Sequence, residues 1–403
     1  MINYQSFFEK HLNNIKTNNH YREFTNISRI CQNFPLAINC NNGKEVVIWC
    51  SNDYLGMGQN QNAIDQSVLA TKSYGVGSGG TRNISGNHKL IVALEKNIAN
   101  FHEKESALVF SSGFVANDST IQAITKIIPD LIIFSDSKNH SSIISGISNA
   151  KTTKEIFIHN DIEDLERRLK NYNLNIPKLI IAESLYSMDG DFGKVKEIAD
   201  LAKLYNSLMM IDEVHAVGVY GATGAGLCQL WGIADKIDII QGTFGKAFGV
   251  VGGYITGNSD VIDSIRMQAS GFIFSTSLPP AIIAAIDANV SYLKNSSAER
   301  EKLATNVKKI KDQLKAINIS IVSLDSHIIS IPIGSAKRAK EISQQLLNEF
   351  NIYIQNIGYP TVPINDARLR VSASSLHNDE MIYNLIEALD CVLNNANSNN
   401  ATK

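Results

Sequence analysis

The chain has 403 residues, 44% hydrophobic and 19% charged, with 26 Gly, 8 Pro and a formal net charge of −2. This is an ordinary globular composition, long enough for two or three packed domains, and it excludes collagen, coiled coil and global disorder. The lack of a basic surplus argues against nucleic acid or an anionic membrane as main partner, and no apolar run reaches the roughly 18 residues of a membrane span.

Residues 1–55 carry a helical pattern and then a strand-like run, Lys44–Cys50, and are expected to form an N-terminal arm. The start has the pattern of neither a signal nor a transit peptide, so a cytoplasmic location is expected. Ala63–Ser73 has helical spacing. Beyond it, Ile- and Val-rich runs alternate with helical patterns. The runs are Ala107–Phe110, Leu131–Phe134, Glu155–Ile158, Lys178–Ala182, Leu208–Ile211, Asp238–Gln241 and Val250–Ile255. The helices between them are Phe114–Lys126, His140–Asn149, Ile162–Lys170 and Val195–Tyr205. Such alternation predicts an α/β fold, a mostly parallel seven-stranded sheet with helices on both faces, in a large domain over 56–290. In such sheets functional residues gather at the carboxyl ends of strands.

After Pro279-Pro280 the texture changes. Two long helices (Ala281–Lys294 and Ala298–Ala316), strands at Ser320–Val322 and Ile328–Ile333, a helix (Ala336–Phe350), an extended stretch (Asn351–Gln355), a strand (Ala367–Ser372) and a last helix (Asp379–Leu393) are expected. They predict a smaller C-terminal α/β domain over 291–403, with a frayed tail from Asn394 to Lys403. Five scattered cysteines (Cys31, Cys40, Cys50, Cys228, Cys391) without a CxxC are expected as reduced thiols.

Gly75-Val-Gly77-Ser-Gly79-Gly80 matches the dinucleotide fingerprint GxGxxG, but that motif needs a strand before it and here a helical pattern precedes, so the nicotinamide reading is rejected. Gly245-Lys246 likewise lacks P-loop spacing. Asp212-Glu-Val-His215 follows a buried strand, where a carboxylate is costly unless a cation meets it. A capping Asp with an exposed His is the alternative. Lys246, in Gly242-Thr-Phe-Gly-Lys246-Ala-Phe-Gly249, sits among glycines and aromatics that suggest burial, which suits an amine acting as nucleophile on a carbonyl. The alternative is a loop lysine reaching solvent. Ser111-Ser112-Gly113-Phe114 opens a helix after a strand, so its N–H groups suit a phosphate. With Asn139-His140, the set matches the needs of pyridoxal phosphate: a lysine for its aldehyde, an aspartate for its ring nitrogen, a helix start for its phosphate.

From about Tyr21 to about Leu393 the chain resembles the α-oxoamine synthase family of fold type I pyridoxal-phosphate enzymes. The segments that carry this are Asn52-Asp-Tyr-Leu-Gly56, Gly77-Ser-Gly-Gly-Thr-Arg-Asn-Ile-Ser-Gly86, Tyr186-Ser-Met-Asp-Gly-Asp191, Asp212-Glu-Val-His-Ala-Val-Gly218, Phe274-Ser-Thr-Ser-Leu-Pro-Pro280 and Pro360-Thr-Val-Pro363. The resemblance implies decarboxylative condensation of an amino acid with an acyl-CoA, here glycine with succinyl-CoA, by a homodimer with its active sites at the subunit interface. It implies that Lys246 anchors the cofactor and moves the α-proton, that Asp212 pairs with the ring nitrogen, that His140 stacks on the ring, and that His215 bonds the phenolic oxygen. Ser187 would be a further cofactor contact. Gly113, Phe114 and Thr243 would hold the phosphate, with Ser275 and Thr276 reaching in from a second subunit.

The same resemblance implies substrate contacts. Arg370 would clamp the glycine carboxylate with a bidentate fork that lysine could not reproduce, assisted by Asn52. Arg22, Thr81, Asn83 and Ser135 would serve the succinyl carboxylate, although Arg22 read by itself is a surface arginine near a terminus. Lys154 and Thr361 are further substrate positions, and Thr81 narrows the space beside the amino acid. No metal is expected. The rival readings are a sibling enzyme that uses another acyl-CoA, a non-catalytic partner subunit, and an ordinary aminotransferase.

Overall fold

Seven strands form one sheet, in the spatial order Ser106–Phe110, Gly253–Gly257, Ile239–Thr243, Leu208–Asp212, Lys178–Glu183, Ile132–Asp136 and Lys154–Phe157. All run one way except Gly253–Gly257, which is antiparallel to both its neighbours. The structure is a computed structural model and describes residues 2–395; the tail expected to fray lies outside the described residues from 396 onward.

The strands are apolar on both faces because both faces are covered. Ile133, Met210 and Ile255 pack into one core with Ile121 and Ile124 of the helix Gly113–Ile127 and Ile143 and Ile147 of the helix Ser141–Ala150. Phe134, Met209 and Ile211, one residue out of phase, pack into a second core with Leu165 of Ile162–Leu169 and Ile198 of Val195–Leu204. Because the six strands other than Gly253–Gly257 run one way, their carboxyl ends share one edge of the sheet.

The described chain divides into two compact units. One holds residues 52–187 and 191–301, with the seven-stranded sheet; the other holds 2–51, Met188–Gly190 and 302–395. In the latter, Ile27–Arg29, Leu36–Asn39, Glu45–Ile48 and Ile352–Tyr353 form a four-stranded sheet whose last pair is parallel. Ile328–Gly334, Ala367–Ser372 and Asn356–Ile357 form an antiparallel three-stranded sheet. Ser320–Val322, expected as a strand, is irregular: Val322 N–H donates to the Ser330 carbonyl at 2.9 Å, but the segment joins no ladder.

The run expected at Val250–Ile255 starts as a strand only at Gly253, because Gly249 (φ 70°) and Gly252 (φ 120°) first turn the chain in conformations that side-chain-bearing residues avoid. Gly75 caps the helix Gln61–Tyr74, so a helix does precede the GxGxxG match. All five cysteines are free. Among the described residues no helix is long and apolar enough to cross a membrane.

Candidate active site

Asp212 ends the strand Leu208–Asp212 and is buried. Its Oδ2 accepts from Asn117 Nδ2 at 2.8 Å and its Oδ1 from the Val214 N–H at 2.8 Å. The second bond turns the chain sharply after the strand, which carries His215 into the interior, where it is 6% exposed.

His215 bridges two elements. Its Nε2 lies 2.9 Å from Lys246 Nζ and its Nδ1 lies 2.8 Å from the Tyr54 hydroxyl. Tyr54 donates to Asn52 Oδ1 at 3.2 Å, which leaves its oxygen to accept from Nδ1–H and leaves Nε2 to accept from the lysine amine. The result is a chain of hydrogen bonds, Lys246 to His215 to Tyr54 to Asn52. The lysine is placed by what flanks it: Phe244 and Phe248 are fully buried, and Gly249 N–H closes the turn on the Lys246 carbonyl at 2.7 Å. A Cβ on Gly218 (φ 83°) would come within 2.5 Å of Ala247 Cβ, so glycine allows the Asp212 turn to lie against the lysine turn.

His140 caps the helix Ser141–Ala150. Its backbone N–H donates to Glu183 Oε1 at 2.5 Å, and its Nδ1 lies 2.7 Å from Ser142 Oγ and accepts from the Ser142 N–H at 3.2 Å. Burial of that edge, with the Lys246 charge nearby, holds the imidazole below its usual range. Glu183 sits beside Asp212 in register, fully enclosed; burial and the Asp212 charge push its carboxyl well above the usual range. Glu213, also buried, is pushed up to about 7 by burial and accepts from the Leu227 and Cys228 N–H groups.

The helix Gly113–Ile127 starts three residues after the strand Ser106–Phe110. Ser112 caps it by accepting from Val115 N–H at 3.2 Å. A Cβ on Gly113 would touch Thr243 at 3.3 Å, and the Thr243 hydroxyl is anchored to the Gly252 carbonyl at 2.7 Å. Phe114 stands edge-on to His140 at 6.5 Å. Lys246, His215, Asp212, His140, Gly113, Phe114 and Thr243 thus gather at one rim of the sheet.

The remaining predicted positions are placed as follows. Ser187 is half-buried after the strand Lys178–Glu183, and Lys154 is exposed on the edge strand. Ser135 is buried and accepts from Asn139 Nδ2 at 2.9 Å. Thr81 donates to Asn83 Oδ1 at 2.5 Å and bridges to Thr276, next to half-buried Ser275. Arg22, Thr361 and Arg370 belong to the other unit: Arg22 Nη2 donates to Thr361 Oγ1 at 2.8 Å, and Arg370 is buried on Ala367–Ser372. Sequence reasoning assigned no role to Tyr54, Asn117, Ser142 or Glu183. Only Glu183 left a signal, as a carboxylate at the end of a buried strand.

Comparison with known proteins points the same way. The aminotransferase class I and II family matches residues 44–389. A 5-aminolevulinate synthase of Rickettsia bellii is 49% identical over 96% of this chain and 94% of that relative. One of Bradyrhizobium diazoefficiens is 46% identical over 96% and 95%. Among solved structures, the serine palmitoyltransferase of S. paucimobilis with bound PLP–myriocin aldimine superposes with a TM-score of 0.91 at 26% identity, covering 97% of this chain and 98% of that one. The 8-amino-7-oxononanoate synthase of Francisella tularensis gives 0.73 at 25% identity, covering 86% and 97%. The rim suits a phosphorylated pyridine aldehyde. At the phosphate end a Cβ on Gly253 would stand 2.5 Å from Gly113 N, so glycine keeps the helix start clear. At the other end, the lysine amine faces an imidazole acceptor. The chain belongs to the aminotransferase class I and II family and, within it, to the 5-aminolevulinate synthases that it matches over nearly its whole length.

Proposed function

We propose that the protein is a pyridoxal-phosphate-dependent acyltransferase that condenses glycine with succinyl-CoA, giving 5-aminolevulinate, coenzyme A and carbon dioxide, the entry to tetrapyrrole synthesis. The observation that carries this reading is the Lys246 amine, 2.9 Å from a histidine acceptor in a chain 49% identical to a 5-aminolevulinate synthase. Bound pyridoxal phosphate supplies an electron sink for the glycine α-carbon. Lys246 would anchor the cofactor through its aldehyde and, once free, would serve as the base for the glycine α-proton, with His215 Nε2 placed to accept its hydrogen bond. Asp212 would pair with the ring nitrogen, His140 would cover the ring, and Gly113, Phe114, Thr243 and Ser187 would hold the remainder.

Arg370 and Asn52 orient the glycine carboxylate. Arg22, with Thr81, Asn83 and Ser135, receives the succinyl carboxylate, and Lys154 and Thr361 are further substrate contacts; Arg22 already donates to the Thr361 hydroxyl. The working form is a homodimer in which Ser275 and Thr276 reach the partner's phosphate. Exposed Phe274 (80%), next to Ser275, and Ile84 (77%), three residues from Thr81, which bridges to Thr276, support a covered face.

Thiol release from succinyl-CoA and from acetyl-CoA, followed in parallel with pyridoxal phosphate and glycine, tests the reading. A strong succinyl-CoA preference is expected; an acetyl-CoA preference transfers the protein to a sibling activity, and release from neither overturns the proposal. Lys246→Ala is expected to abolish both turnover and the absorbance of lysine-bound cofactor.

A further inference from the structure

We propose that Asn117 is a positioning residue whose single amide orients both Asp212 and His140 toward the cofactor, an inference that rests on the pyridoxal-phosphate reading. Asn117 lies four residues into the helix Gly113–Ile127, hence on the same helical face as Gly113. Its amide nitrogen has two hydrogens and both are used: one goes to Asp212 Oδ2 at 2.8 Å, the other to Ser142 Oγ at 3.0 Å. The choice of nitrogen over oxygen is forced, because a carboxylate can only accept.

Ser142 passes the constraint on. Having accepted from Asn117, its hydroxyl has its own hydrogen left for His140 Nδ1, 2.7 Å away, and the Ser142 N–H points at the same atom. A ring nitrogen met by two donors carries no proton, so the imidazole proton sits on Nε2. Glu183 Oε1 fixes the His140 backbone from the neighbouring strand, and Asp212 and Lys246 are the other charged groups that face this histidine. One amide therefore sets the carboxylate rotamer at the ring nitrogen and the tautomer of the ring-facing histidine.

The arrangement has a cost. Asn117 is 1% exposed, and its Oδ1 has no hydrogen-bond partner among the described residues. A buried, unpaired carbonyl opposes folding, and a leucine of similar size would avoid it. Such a violation of local rules is expected where function needs the donor.

Equilibrium dialysis of pyridoxal phosphate and the pH titration of its bound absorbance, on wild type, Asn117→Asp and Ser142→Ala, test the inference. Asn117→Asp keeps the shape but loses the donors. It is expected to weaken cofactor binding about tenfold or more at pH 8, to shift the absorbance titration, and to recover relative to wild type on acidification as the new carboxyl gains a proton. Ser142→Ala is expected to keep the affinity within about threefold while still moving the titration, because only the His140 branch is cut. If the Asp variant does not fold, as judged by its thermal melt, Asn117→Ser, which keeps one donor, is compared instead and is expected to show a smaller loss. Wild-type binding with unchanged affinity and titration in the Asn117 variant overturns the inference alone. A wild-type protein that binds no pyridoxal phosphate overturns both the inference and the reading beneath it.

Discussion

His159 is clasped between two carboxylates: Nδ1 lies 2.9 Å from Asp136 Oδ1 and Nε2 lies 2.7 Å from Asp191 Oδ2. Burial by itself would lower its pKa, but hydrogen bonds to Asp136 and Asp191 prevail and raise it from 6.5 to about 9. A group held protonated by folding adds stability that is complete below 6.5 and is lost as the pH rises through about 9. A melting-temperature profile against pH should therefore show His159→Gln below wild type near pH 6.5, with the gap narrowing as the solution turns alkaline. His377, lowered to about 4 by burial, acts in the opposite sense: its contribution is complete above 6.5 and fades as the pH falls toward 4. His377→Gln should flatten the acid side of the same profile. At this scale Lys246, Asp212, His215 and His140 were legible, because each follows a strand-like run and its chemistry is unusual there. Tyr54, Asn117 and Ser142 were not. A mid-helix asparagine looks like any other until the fold brings an aspartate 2.8 Å from it.

At the scale of elements, strand and helix periods were readable because buried parallel strands are nearly continuous in apolar residues. Their ends were less so. Val250 to Gly252 have strand-like residues, yet the positive φ of the flanking glycines bends them out of the ladder. Lys178 opens a strand as an ordinary-looking lysine, but it is 1% exposed and its ammonium donates to the Asn173 and Ile176 carbonyls at 2.8 and 2.9 Å. The glycine-rich segment before the helix Lys89–Phe101 is secured in a similar way. Arg82 grips Glu95 of that helix with two bonds of 2.7 and 2.8 Å and covers the Phe272 ring, and Glu95 also accepts from Val109 N–H at 2.9 Å. Glu95→Gln leaves a nearly buried guanidinium without its counter-charge and should cost about 3 kcal/mol in urea unfolding. The same variant should raise the KM for succinyl-CoA more than that for glycine, since Thr81 and Asn83 flank Arg82.

At the scale of the whole molecule, one unit is continuous but for a three-residue gap and the other is assembled from both chain ends. The Trp49 indole stacks on His377 at 3.6 Å and 9°, His377 Nε2 donates to the Ile48 carbonyl at 3.0 Å, and Ser372 N–H donates to the Trp49 carbonyl at 2.7 Å. Glu45–Ile48 acquires its parallel neighbour only from Ile352–Tyr353. Ile352, 3% exposed, is thus part of the core of that unit, and Ile352→Ala should cost about 2–5 kcal/mol in the same unfolding assay.

That pairing also sets an order of events during synthesis. The ribosome releases Glu45–Ile48 early and Ile352–Tyr353 near the end, so at 5–20 residues per second the first strands wait roughly 15–60 s for the neighbour that completes their sheet. Through that interval they present an open edge, the kind of surface that recruits stray strands. A chain cut short before Ile352 forfeits the order of the residues it made first.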